Sequence, residues 1–246
     1  MTATLLGALL AGCNLTSRLT DGKSNAEKAQ LNLQLGVRYL EMGMIDVAQE
    51  KLEAALSQDS GNADIHNALA ILFERIKDYD EAADYYRSAL RRDPENTSIK
   101  SNYGRLLCER NDVEKGKNLL QEALASPVNP RPWIALTNMG LCFIQQNDRQ
   151  RGEDFFRQAL NANADYAPSL LEMLKISYAN QQFMSARAFL QRYLAIAKHT
   201  AETLWLGFQT ERALGNATLA DEYKQQLLND FPASREAQDI RAAPNH

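Results

Sequence analysis

The 246-residue chain is poor in what would mark an enzyme or a nucleic-acid binder. It has no HExxH, no Walker glycine loop, no CxxC and no GxSxG, the spacings that serve zinc hydrolysis, phosphate binding, thiol exchange and serine acylation. Three histidines occur, His66, His199 and His246, and none has a Cys or His one helical turn away to complete a metal pair. His66 stands on a repeating helix and reads as a packed, structural residue. The acidic groups Asp80-Glu81 and Glu109 near Asp112 fall at turns, where solvation and helix dipoles account for them. The expectation is therefore no catalytic residue, no metal, no cofactor and no small-molecule substrate. Lys and Arg number 27 against 31 Asp and Glu, giving a net charge of −4, without a basic run interleaved with aromatics. Nucleic acid is set aside on that ground. The apolar run Leu5–Ala11 is too short to cross a bilayer as a helix. With only 7 Pro and 12 Gly, long stretches are free of helix breakers.

What the chain does have is a repeat. From Ala63 to Pro94 it reads as two amphipathic helices joined by a polar turn at Lys77-Asp78-Tyr79. Leu69, Ala70 and Phe73 share a face of the first; Ala82, Tyr86 and Ala89 share a face of the second. Ala70 and Ala82 are small where the two helices cross, and Pro94 ends the unit. This order matches the tetratricopeptide (TPR) consensus, and it recurs every 34 residues. Leu35-Gly36, Tyr39, Ala48, Leu52 and Ala55 precede it; Tyr103-Gly104, Gly116, Leu120 and Ala123 follow, then Met139-Gly140, Phe143, Gly152, Phe156 and Ala159. Ala186, Leu190 and Tyr193 mark a fifth copy, and Leu204, Ala220, Leu227 and Pro232 a sixth, with Leu174 and Phe208 in the small-residue slot. The phase slips by two residues in the proline-rich stretch Ser126–Pro132. The expected fold is all-α: a right-handed superhelical solenoid of six TPR helix-turn-helix repeats over 26–246. The repeats fall at about 29–62, 63–96, 97–132, 133–166, 167–200 and 201–234, and a short polar helix over 233–241 caps them.

The N-terminus carries a second signal. Leu10-Ala11-Gly12-Cys13 follows a short apolar run and resembles a bacterial lipobox, in which the Cys is lipidated. Residues 1–13 are then a lipoprotein signal-like segment, Cys13 the lipidation site and 14–25 a flexible tether. Met1–Thr4 lack the Lys or Arg usual there, which points to a start upstream or a clipped chain. Asn14 after the Cys implies an outer-membrane location in such lipoproteins.

Cys108 and Cys142 sit near the ends of first helices in consecutive repeats. Exported, they meet an oxidising compartment and can pair; otherwise they are two buried thiols. First helices of a TPR array line its concave surface, so apolar residues off the packing face are candidates for partner binding. Leu33, Val37 and Leu40 form such a stripe in the first repeat, and Ile134, Leu141 and Ile144 in the fourth. The alternative is that these simply pack on the N-terminal segment or the next repeat.

Lipobox, tether, six repeats, one proline-extended turn and the Cys pair together resemble the PilF/PilW-type pilotins of type IV pilus biogenesis. So do the runs Ala201–Gly207 and Glu211–Gly215. The resemblance implies a non-catalytic lipoprotein at the periplasmic face of the outer membrane, held by its lipid anchor. Its partner would be the secretin, the pore subunit whose assembly it promotes. A lipoprotein scaffold for peptidoglycan enzymes or outer-membrane protein assembly shares these features, and a cytoplasmic adaptor shares all but the lipid.

Overall fold

The computed structural model describes residues 24–242. Cys13 and the segment before Ser24 lie outside the described residues. Those described form thirteen helices and no strand. They divide into one compact unit ending at Pro94 and a second beginning at Glu95. The first unit holds α1 (Asn25–Glu41), α2 (Ile45–Gln58), α3 (Ala63–Arg75) and α4 (Tyr79–Arg92). The second holds α5 (Thr97–Glu109), α6 (Val113–Ala125), α7 (Pro132–Gln145), α8 (Arg149–Ala162) and α9 (Ala167–Ala179). It continues through α10 (Phe183–Leu194), α11 (Ala201–Ala213), α12 (Ala217–Asp230) and α13 (Arg235–Ala242). Each expected repeat is thus one helix pair. α1 starts a few residues before the expected boundary because Ser24 caps it: its Oγ accepts from the Glu27 amide at 3.3 Å while its own amide donates to Glu27 Oε2 at 2.7 Å.

Each turn inside a pair passes through the left-handed region once. Gly43, Lys77, Asn111, Asn147, Gln181 and Gly215 occupy it, with φ from 59° to 75°. The turn between α6 and α7 holds the two extra residues; the Asn129 amide side chain closes it by donating to the Ala123 carbonyl at 2.9 Å. Pro132 stands in the first turn of α7, where no intrahelical N–H is needed.

In the first unit Leu52 and Ala55 of α2 pack with Ile65, Ala68, Leu69 and Leu72 of α3. Beside this core the Ser60 carbonyl accepts from both His66 Nε2, at 3.0 Å, and Arg92 Nε, at 2.9 Å. A carbonyl can only accept, so the His66 proton is on Nε2, and buried Nδ1 has no partner. Burial lowers the His66 pKa below its ordinary 6.5; the Ser60 hydrogen bond opposes this, and Arg92 and Arg91 add to it. The unfolded chain therefore takes up this proton at a higher pH than the folded one. The stability tied to neutral His66 is complete above 6.5 and is lost as pH falls through the lower folded value. The urea midpoint is expected to drop between pH 7.5 and 5.5. His66→Phe should flatten that slope, and an unchanged slope would contradict the assignment.

In the second unit α5 crosses α6, and α7 crosses α8, with glycine on both sides: Gly104 against Gly116, Gly140 against Gly152. Arg187 of α10 makes two hydrogen bonds to the buried carboxylate of Glu211 on α11, one of them Nε to Oε1 at 2.7 Å. α13 closes the far end: Ala237 and Ile240 share a core with Leu204, Phe208, Ala220 and Leu227.

Candidate functional site

Cys108 on α5 and Cys142 on α7 are joined as a disulfide, with Cα atoms 5.4 Å apart. Their helices lie side by side because Asn138 of α7 donates to the Ser101 carbonyl of α5 at 2.9 Å. Gln145 ties the other end, donating to the Glu109 carbonyl and to Asn111 Oδ1, each at 3.3 Å. Over the disulfide opens a cavity of about 210 Å³. Leu141 and Ile144 form its apolar walls; Arg105, Glu109, Asn138 and Gln145 form its polar rim. Arg105 and Glu109 are paired at 2.6 Å across one helical turn, so the rim offers a donor fork, a carboxylate and two amides. That set suits a peptide: one apolar side chain in the cavity, backbone and polar groups at the edge.

Of the expected binding residues, the structure brings Leu141 and Ile144 together at this cavity and leaves Ile134, half-buried, out of its walls. The first-repeat stripe needs correcting. Leu33 and Leu40 are 7% and 5% exposed and belong to the core formed with α2 and α3, so they are not open to a partner. Val37 remains at 37% exposure. The same positions two repeats on, Ser101 and Cys108 of α5, are buried as well, so this face of a first helix is turned to neighbouring helices rather than outward. Ile71 likewise packs against that core. Sequence reading missed Arg105, Glu109, Asn138 and Gln145 at the cavity, since polar residues on two helices carry no spacing signal.

A second cavity, of about 510 Å³, lies beside the turn after α10 and is lined by Lys198, His199, Gln226, Asp230 and Phe231 among others. Burial lowers the His199 pKa, while Asp230 raises it. Among the described residues no group of three or more His, Cys, Asp or Glu could hold a metal ion. Also among them, no helix is long and apolar enough to cross a membrane.

Tetratricopeptide repeat models match residues 33–97, 75–139 and 135–166. The type IV pilus assembly protein PilF of Pseudomonas aeruginosa is 29% identical over 241 residues, covering 97% of this chain and 96% of that one. The solved structure of Pseudomonas aeruginosa PilF aligns with a TM-score of 0.70 over 89% of this chain and 99% of its own. The structure of PilW, a widely conserved type IV pilus biogenesis factor, aligns equally well, at 29% identity and TM-score 0.70 over 87% of this chain and 98% of its own. The chain belongs to the tetratricopeptide repeat family, as a homologue of the type IV pilus biogenesis proteins PilF and PilW.

Proposed function

We propose that this protein is a pilotin: a lipid-anchored assembly factor that binds the type IV pilus secretin and promotes its oligomerisation at the outer membrane. The observation that carries this is the likeness to PilF along nearly the whole of both chains. The lipobox-like Leu10-Ala11-Gly12-Cys13 supports anchoring, although it lies outside the described residues. Each buried CH₂ of an acyl chain contributes about 0.8 kcal/mol, so more than one chain on Cys13 gives stable attachment. The protein's own part is recognition. A segment of the secretin sets an apolar side chain between Leu141 and Ile144 over the disulfide, and the amides of Asn138 and Gln145 meet its backbone. Binding needs no catalytic group.

The test uses the full chain in a piliated host. Leu141→Glu places a charge in the cavity and is expected to cut detergent-resistant secretin oligomers by tenfold or more. Arg105→Ala, on the rim, should reduce them with the circular-dichroism melt unchanged, which separates lost binding from lost folding. Normal oligomers in both variants would remove the cavity from the proposal. Cys13→Ala should abolish incorporation of labelled palmitate; a parent protein that takes up no label would remove the anchor.

A further inference from the structure

Met42 and Met44 flank the left-handed Gly43 between α1 and α2, and they are 61% and 42% exposed. Ile76 stands beside Lys77 in the next such turn and is 46% exposed. Position 44 starts a helix. At the same point the other five pairs carry Asp78, Asp112, Asp148, Gln182 and Asn216, all polar. Asp78, Asp148 and Asn216 accept there from the Glu81, Arg151 and Leu219 amides at 3.3, 3.0 and 3.3 Å. Met44 makes no such bond. Met42 and Ile76 end first helices, where the second unit has exposed Arg110, Gln146 and Asn180 and half-buried Leu214. A helix start that gives up its cap for an exposed thioether has its reason outside the fold. α1 and α3 share a core and, as first helices, run the same way, so both turns lie at one edge of the first unit.

We propose that this edge dips into a lipid bilayer, with Met42, Met44 and Ile76 buried among acyl chains. Area and shape select a bilayer over a protein. Three half-exposed side chains offer on the order of 200 Å², where a stable protein interface takes about 800 Å² from each partner. They sit on turn tips, which are convex; a lipid surface yields to that shape, whereas a folded partner needs a groove for it. The inference rests on the lipid-anchored reading of Cys13, and reach agrees with it. The stretch from Cys13 to Ser24 can extend to about 36 Å. The 17-residue α1 is about 25 Å long. An anchored chain therefore has length enough for the far end of α1 to touch the membrane that holds its lipid. Anchoring also makes the contact intramolecular, so three side chains suffice where a free protein would bind weakly. Charge adds nothing. Arg38, Arg75 and Lys77 stand among Glu41, Asp46, Asp78 and Asp80, so the edge has no net positive charge for anionic headgroups. Insertion is apolar and independent of salt.

The experiment uses the full lipidated chain in vesicles of phosphatidylethanolamine and phosphatidylglycerol. Glu41→Cys, exposed beside Met42, carries a nitrobenzoxadiazole label; Gln146→Cys labels the matching polar turn of the second unit. Cys108 and Cys142 are held in their bridge and take no label. Lipid with a doxyl group high on the acyl chain should quench the label at 41 at least threefold more than that at 146. Quenching should persist at about 0.5 M salt, where surface charge is screened. Met44→Asp with Ile76→Asp should reduce it to the level at 146. Met44→Asp alone supplies the missing cap and should raise the melting midpoint, so quenching lost in it is not lost folding. Equal quenching at the two sites, quenching that survives the double variant, or quenching lost in salt overturns the inference. So does protection of the label that appears only with the secretin, which would make the edge a protein contact. A parent that takes up no palmitate fails the anchored reading, and this inference with it. Palmitate uptake with an unquenched label at 41 fails this inference alone.

Discussion

Gly116→Ala is expected to destabilise the second unit by about 3 kcal/mol, at the upper end of overpacking costs. The repeat pattern alone points the other way. The same slot holds Ala48, Ala82, Ala186 and Ala220, and alanine in a helix is favoured over glycine by about 1 kcal/mol. What decides is the crossing. A Cβ at 116 would lie 2.6 Å from the Gly104 carbonyl oxygen, 2.6 Å from Cys108 Sγ and 3.0 Å from the Cys108 nitrogen. Two of these are backbone atoms of α5, and the third is in the disulfide, so nothing flexible can yield. Equilibrium urea unfolding of the variant decides it: a gain of about 1 kcal/mol would mean that the helices part freely and that propensity governs.

Replacing both cysteines, Cys108→Ala with Cys142→Ala, should cost about 3–4 kcal/mol. The bridge closes a loop of sequence separation 34, and chain-entropy arithmetic for a loop of that length gives about that much. It joins two helices already tied by Asn138 and Gln145, so the native pairing survives while the unfolded chain gains freedom. Comparing urea midpoints of the oxidised protein and the double variant measures it; equal midpoints would show that the bridge is incidental. The two predictions are coupled. Without Cys108 Sγ, Gly116→Ala loses one of its three clashes, so the triple variant should fall short of the additive loss.

The helix pairs, the small residues at their crossings, the proline-extended turn and the capping helix could all be read from the sequence, because each is fixed by residues within one repeat. The pairing of Cys108 with Cys142 could be anticipated only as one of two outcomes, since the separation of neighbouring first helices is a matter of packing. The stripe of Leu33, Val37 and Leu40 misled for a physical reason. Two apolar faces compete on α1, Leu31–Leu35 and Leu33–Leu40, and periodicity cannot say which one a neighbour covers. Comparing positions one repeat apart would have exposed the difference: Leu31 and Arg38 align with Ile65 and Leu72, the residues that receive a preceding pair. The cavity rim was hidden because Arg105, Glu109, Asn138 and Gln145 become neighbours only when α5 lies against α7.

The left-handed turn residues change which surface positions evolution can use. Gly43, Lys77, Asn111, Asn147, Gln181 and Gly215 are all exposed, and a scale based on burial would score them as freely mutable. Backbone sterics set a different rule, since β-branched side chains are genuine outliers at positive φ. In a saturation library these six sites should reject Val, Ile and Thr while accepting Gly and Asn. They would appear as a column of intolerance spaced by the repeat, the fold's periodicity recovered from fitness alone.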